Sequence, residues 1–303
     1  MLYCRNRLIH MHRCRGITRK KLNLFLQVDP TLQSIYALSP TELQNKFLFT
    51  RKQAENFYQD LHHPMLLQQM KQDLATYKVI TIKDENYPKL LKYINDPPLV
   101  LYAKGKLEFL SHQPAISIVG TRMPSNEGKH KTEKIVQPLI EKDFMIVSGM
   151  AKGIDRFAHE AALKYNGKTI AVLGAGFQHI YPKQNRQLFE EIVKKGLLLS
   201  EYPPHIPPAK HQFPERNRII SGLSYGTLVV EAMERSGTLI TVGQALDQGR
   251  EVFAMPGSIL DPKTKGCHQL IQDGAKLVYE AKDILEDWDR IGKFLYSSIE
   301  YKK

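Results

Sequence analysis

The 303-residue chain has little cysteine and no long apolar run. Its three cysteines, Cys4, Cys14 and Cys267, are odd in number, lack CxxC spacing and have no histidine pair beside them. Neither a disulfide framework nor a zinc site is therefore expected to organise the fold. No window approaches the run of about 18 apolar residues that a membrane span requires, so no membrane partner is expected. The basic start is not followed by an apolar segment and a small-residue cleavage site, which excludes a secretory signal. Its Arg-rich, acid-free composition is shared with mitochondrial transit peptides, but the cysteine usage makes a reducing cytoplasm the natural expectation. Internal repeats, low-complexity tracts and a G-x-S-x-G nucleophile elbow are also missing. No metal, cofactor or catalytic residue is expected.

Charge, by contrast, is plentiful and uneven. The net charge is +12, and residues 1–83 carry 13 Lys and Arg against 5 Asp and Glu. Such an excess favours phosphate-rich partners, although a solvated basic surface accounts equally well for charge alone. Residues 1–77 hold one glycine, Gly16, and place apolar residues at helical spacing: Leu22, Phe25 and Leu26, then Leu43, Phe47 and Leu48, then Leu66, Leu67, Met70 and Leu74. LIHMHRCRGITRKKL reads as two short helices joined at Gly16. It resembles a helix-hairpin-helix or SAM-like module, which grips nucleic-acid backbones through turn amides and nearby cations. A helical packing domain with a basic face is the plainer alternative.

From residue 79 the texture changes. VITI and LVLYAKG, then ISIVG, FMIVSG, TIAVLG, LLLSEY, TLVVEA, EVFAMPG and KLVY read as strands. From ISIVG onward they are separated by helical stretches centred on 126–141, 154–165, 184–195, 215–224, 238–248 and 267–273. Continuous apolar runs indicate strands buried on both faces, and the alternation predicts a doubly wound, mostly parallel α/β sheet. The expected organisation is a small all-α domain over 1–78, a Rossmann-like domain over 79–285, and the end of a C-terminal helix with a short tail over 286–303.

Chemistry should gather at the carboxyl ends of these strands. Of GTRMPS, SGMAKGID, GAGFQHIYPKQN, SEYPP with FPERNR, ERSGTLIT and MPGS, several put small polar residues at helix starts, where free amides favour an anion. Beside them stand Arg122, Lys152, Lys183, Asn217 and Arg218. One such turn is explained by helix capping, whereas five on one sheet edge suit a polyanion. GAGFQH is a poor dinucleotide fingerprint, because His179 occupies the third glycine position and Tyr181-Pro182 interrupts the helix. Asp155 and His159, four apart on one helix, are read as a structural pair.

Taken together, the motifs resemble the DNA-processing protein A family, also called DprA or Smf. The resemblance runs from YPKLLKYINDPPLVLYAKG through GCHQLIQDGA, with IVGTRMPSNEG, VSGMAKGIDRFAHEAAL, FPERNRIISGLS and VVEAMERSGTLIT among its most specific pieces. It implies a SAM-like domain followed by an extended Rossmann-like domain, forming a non-catalytic homodimer. That dimer would protect incoming single-stranded DNA and load RecA recombinase onto it in natural transformation, with single-strand-binding protein as a further partner. The implied backbone contacts are Gly120, Thr121 and Arg122; Ser148, Gly149 and Lys152; Lys183; Asn217 and Arg218; and Ser236, Gly237 and Thr238. Phe177, Tyr181 and Phe213 are the candidates for stacking on bases. The chain departs from the family pattern at Glu127, Gln178 and His268, and the acid at 127 is expected to weaken the site around Arg122. A winged-helix domain common in the family is not expected here.

The rival is a nucleotide-binding enzyme or sensor. ERSGTLIT also resembles the P-G-G-x-G-T-x-x-E loop of lysine-decarboxylase-like phosphoribohydrolases, which seats a nucleotide phosphate. Aligned on Gly237-Thr238, the glutamate position of that loop falls on Thr241. A hydroxyl cannot replace a carboxylate there as general base. Glu231 is the nearest acid, before the loop. A phosphate cradle without its acid favours binding over hydrolysis.

Overall fold

The computed structural model describes residues 3–300. Packing divides the chain into two units. The first comprises the described residues up to Tyr87 together with Pro98–Tyr102, and the second comprises Pro88–Pro97 and the chain from Ala103 onward.

In the first unit, helices α1 (Cys4–His12), α2 (Arg19–Val28), α3 (Pro40–Phe47), α4 (Arg51–Leu61) and α5 (Pro64–Thr76) precede strand β1 (Lys78–Thr81), and strand β2 (Val100–Gly105) begins in the unit's Pro98–Tyr102 segment. Capping fixes several of the helix starts. Thr18 accepts a bond from the Lys21 amide, and Ser39 with Glu42 and Thr50 with Gln53 form reciprocal capping boxes. Phe25 is the centre of the small core, with Phe47 edge-on at 4.7 Å and Phe57 at 5.6 Å. Gly16 adopts φ +81, and a Cβ there would lie 2.4 Å from the Gln53 carbonyl, so glycine is required at this turn. The turn's Arg15 amide donates to Asp60 at 2.7 Å, and the Arg15 guanidinium grips the same carboxylate. An internal acid thus sits on the amide that a hairpin of this type would offer to a phosphate.

The second unit starts with the short helix α6 (Lys89–Lys92). After it, strands β3 (Ala115–Val119), β4 (Met145–Ser148), β5 (Thr169–Leu173), β6 (Leu197–Ser200), β7 (Gly226–Val229), β8 (Glu251–Ala254) and β9 (Lys276–Leu277) alternate with helices. These are α7 (Gly128–Glu141), α8 (Ile154–Lys164), α9 (Arg186–Lys195), α10 (Gln212–Gly222), α11 (Thr238–Asp247) and α12 (Lys265–Gln272). The strand order is β6-β5-β4-β3-β7-β8-β9, and each neighbouring pair in it is parallel. Strands β3 to β7 are buried at every position, as their unbroken apolar runs imply.

Alternation along β3 separates the two layers of helices. Ile116 and Ile118 join the cluster containing Ile135, Leu139, Ile154 and Ala158 from α7 and α8. Between them, Ser117 points the other way and donates to the Ile220 carbonyl of α10 at 2.7 Å. The sheet is therefore doubly wound. Chain order runs outward from β3 through β4 to β6, then returns to β7 on the other flank of β3. That reversal makes the β3/β7 boundary the topological switch point, where ligands of such folds bind. After β9 the chain continues through α13 (Ala281–Asp287), a π-helical turn at Trp288–Gly292 and α14 (Lys293–Glu300). Trp288 packs against Tyr225 at 4.9 Å, which seals this stretch onto the sheet.

The expected Asp155–His159 pair does not form. His159 is fully buried, with Nδ1 2.7 Å from the Thr169 hydroxyl. That hydroxyl donates to the Ile146 carbonyl, so the His159 Nδ1–H is the donor to Thr169. Burial, reinforced by Arg216, lowers its pKa to about 3. The unfolded chain therefore binds a proton below its ordinary pKa of 6.5 while the folded one does not. Stability is fully present above that value and falls as pH drops toward 3, by about 1.4 kcal/mol per pH unit in the steep part. Urea titrations at pH 7 and pH 5 should show this loss, and His159→Gln should reduce it by one group's share, since burial also lowers His10 and His12; an unchanged pH dependence in the variant would refute the assignment.

Candidate nucleic-acid interface

The turn after β3 is held from beneath by the end of β7. The Glu231 carbonyl accepts from the Thr121 amide at 2.8 Å. Its carboxylate, fully buried, accepts from the Ser125 amide at 2.8 Å, the Ser125 hydroxyl at 2.6 Å and Lys131 Nζ at 3.0 Å. From the loop before α12, Lys263 Nζ adds a bond to the Pro124 carbonyl at 3.3 Å. Gly153, at φ +73, lets the next turn approach so closely that a Cβ would lie 2.3 Å from the Thr121 carbonyl. With the loop fixed in this way, Arg122 and Met123 project into solvent. The Arg122 guanidinium lies over the Phe213 ring at 5.8 Å. Glu127 is exposed and pairs with Lys131 at 3.4 Å, one turn along α7. Its charge is thus opposed by that lysine rather than by Arg122.

The turn after β4 contributes differently from its sequence. Ser148 is buried, and its hydroxyl donates to the Ile118 carbonyl at 2.6 Å, bracing the two strands. Gly149 is also buried, whereas Lys152 is exposed. Asn185 supports the turn from below by donating to the Met150 carbonyl at 2.8 Å. Among the described residues, neither Lys152 nor Lys183 has an ion pair.

Helix α10 supplies the RNR triplet, and its three side chains part company. Arg218 is buried against Glu201, with bonds of 2.8 and 2.9 Å to the two carboxylate oxygens. Arg216 is buried on the opposite side of Asn217 in sequence, and only Asn217 is partly open. Beyond β7, Ser236, Gly237 and Thr238 begin α11, and nothing lies within 4 Å of the position of a Gly237 Cβ.

These turns enclose two adjoining cavities. The larger, about 390 Å³, is lined by Gly120, Thr121 and Arg122, by Asn217, and by Ser236, Gly237 and Thr238. It lies at the β3/β7 switch point. The smaller, about 210 Å³, is lined by Gly149, Lys152 and Tyr181. Arg122, Ala151, Phe213 and Arg216 border both. Tyr181 and Phe213 lie 5.4 Å apart, with Tyr181 exposed. Four of the residues expected at the site are not in this assembly. Ser148 and Arg218 are buried and committed to internal bonds, Phe177 is buried at 6% exposure, and Lys183 is exposed but borders neither cavity.

Arg235, exposed at the larger cavity, was missed from the sequence. Asp155, read as half of a structural pair, and Arg216, which reads with Asn217 and Arg218 as a clamp of two cations around an amide, form part of its wall. Asp155 is buried, and its pKa is raised because burial outweighs the nearby Arg216. The signal for Arg216 was available: it precedes Ile219 and Ile220 by three and four residues, which puts it on the buried face of α10.

A doubly wound parallel sheet with glycine, serine and arginine turns around a cleft at its switch point belongs to the Rossmann-like class that receives ligands at its strand ends. Within that class, the chain belongs to the DNA recombination-mediator protein A family, whose model matches residues 78–289. It is 46% identical over 259 residues to DNA processing protein DprA of Bacillus subtilis, covering 86% of this chain and 84% of that protein. The match to DprA of Streptococcus pneumoniae is 47% over 220 residues, covering 73% and 77%. An X-ray structure of the pneumococcal protein superposes with a TM-score of 0.82 at 40% identity, covering 93% of this chain and 97% of that one. DNA processing protein A of Helicobacter pylori, whose structure is described in terms of its single-stranded DNA binding mode, gives a TM-score of 0.64 at 29% identity, covering 71% and 96%.

Since Glu231 holds the loop that carries Arg122, Glu231→Ala should leave Lys131 and the Ser125 amide without their buried acceptor. A loss of about 2–4 kcal/mol in urea unfolding is expected. Trypsin should also cut after Arg122 faster than in the wild type; unchanged stability together with unchanged cleavage would contradict the role.

Proposed function

We propose that this chain binds single-stranded DNA without turnover, holding its backbone on the strand-end turns around the two cavities. The observation that carries this reading is the convergence of Arg122, Lys152, Asn217 and the Ser236–Thr238 turn on one continuous opening, with Tyr181 and Phe213 between its two parts. Cations and turn amides suit successive phosphates, and the two rings suit an unpaired base. Gly120, Thr121 and Gly149 contribute backbone close to the strand, and Lys183 extends the charged track. Ser148, Arg218 and Phe177 support the site from behind. The Helicobacter pylori relative, named for its single-stranded DNA binding mode, agrees with this assignment. By the same family likeness the chain acts in natural transformation as a cytoplasmic homodimer that loads RecA, alongside single-strand-binding protein. No helix among the described residues is long and apolar enough to cross a membrane.

An enzyme reading would need an acid free to act. Thr241 occupies the position expected for the glutamate, Glu231 is spent on Ser125 and Lys131, and Asp155, though in the cavity wall, is buried and accepts from the Ala151 amide. Incubation with nucleoside monophosphates should release no free base; clear turnover would reverse this ranking.

For single strands, the logarithmic salt slope should be about −0.7 per phosphate neutralised, so three or four contacts give roughly −2 to −3. Arg122→Ala should weaken binding to all sequences alike and reduce the slope by about 0.7. Fluorescence anisotropy over a salt series measures both, and an unaltered slope would remove Arg122 from the phosphate contacts.

A further inference from the structure

Arg216 borders both cavities, yet it is only 4% exposed. Its Nη1 donates to the carbonyl oxygens of Gly149, just beyond β4, and Val172, within β5. Its Nε donates to Oδ1 of the neighbouring Asn217 at 3.2 Å. Asp155, buried in the wall of the larger cavity, supplies opposing charge. Space for the guanidinium exists because residue 149 has no Cβ; one would lie 2.4 Å from Nη1 and 2.5 Å from Cζ.

A carboxamide has one acceptor oxygen and one NH2 group carrying two donors. With Oδ1 turned to Arg216, the donors of Asn217 are left for the cavity that Asn217 lines. A carboxamide free to rotate would present its oxygen about as readily, and that oxygen repels a phosphate. The two carbonyls drawn onto Nη1 are likewise turned away from an approaching anion. A lysine could not do this, since one ammonium lacks the fork that reaches both carbonyls and Asn217 together.

We infer that Arg216 is a positioning residue: it does not touch the DNA but fixes the Asn217 carboxamide with its donors facing the phosphate. This rests on the backbone contact assigned to Asn217 above.

The test uses the full chain, a fluorescent oligothymidylate and a salt series. The proteins compared are wild type, Asn217→Ala, Arg216→Lys, Gly149→Ala and the two double variants with Asn217→Ala. Gly149→Ala displaces the flexible guanidinium without deleting it. Arg216→Lys and Gly149→Ala should each weaken binding about five- to tenfold, the size of one lost hydrogen bond, with the salt slope unchanged. Neither should weaken binding further once Asn217 is alanine. A slope reduced by about 0.7 in Gly149→Ala would instead make Arg216 a direct phosphate contact; additive losses, or wild-type affinity in both single variants, would equally overturn the inference. Should Arg216→Lys fail to fold, Gly149→Ala carries the same comparison. Independently of any Arg216 variant, the Asn217 side-chain NH2 signals, identified by their loss in Asn217→Ala, should be in one fixed state in the DNA-free wild type. Signals that become fixed only when DNA is added would refute prior positioning. If the wild type bound no single-stranded DNA, the proposed function would fail, while these signals would still report on Arg216.

Discussion

Ser125 and Glu231 are 106 residues apart in the chain, yet one carboxylate at the end of β7 accepts from both the amide and the hydroxyl of Ser125. It accepts from Lys131 as well, and so it ties the turn after β3 to the start of α7. β3 and β7 are neighbours only because the order of strands reverses between them, and a reversal leaves a crevice that no crossover helix fills. Glu231 closes the floor of that crevice and leaves its rim open. The same bonds settle what the acid does: with its oxygens taken by three donors, it shapes the loop rather than acting on a ligand. Arg122 owes its exposed position to this arrangement, because an unanchored loop would let the guanidinium fold back onto the sheet.

The charged groups of the interface are sorted by depth. Arg218 is buried with Glu201, and such a pair contributes geometry more than stability, since desolvation offsets much of its attraction. Arg216 is held by carbonyl oxygens and by the field of Asp155. Arg122, Lys152 and Arg235 stand outside, where their fields reach an approaching polyanion and salt screens them. Internally bonded cations and exposed ones thus lie side by side, and both arginines of FPERNR belong to the first kind.

Much of the second unit was legible because its strands are buried on both faces. Runs such as AISIV and TIAVL have one plausible structure when glycine turns and amphipathic stretches separate them. All seven strands expected from ISIVG onward are present, and the helices expected between them differ at their ends by three residues or fewer. Side-chain direction was less legible. RNR reads as two cations around an amide, but neither arginine faces solvent, and what holds them, Glu201 and Gly149, is distant in sequence. Ser148 likewise reads as a phosphate ligand until the neighbouring strand supplies the Ile118 carbonyl. In the first unit, the hairpin at Gly16 was recognisable, but Asp60, which occupies its amide, comes from α4 and leaves no local signal. Glu127 illustrates the reverse case, where a misplaced-looking acid is explained by a lysine one helical turn away.

Gly237 differs from the other glycines of the interface in what surrounds it. Gly153 is required by the protein's own backbone, and a Cβ at Gly149 would meet the Arg216 guanidinium, so a replacement at either first disturbs the protein's own groups. At Gly237 nothing lies within 4 Å of the missing Cβ. An added methyl would meet only solvent or whatever enters the cavity from outside. Among natural sequence variants, the tolerance of this one position would therefore record the size and approach of a molecule entering the cavity, largely separated from the demands of folding.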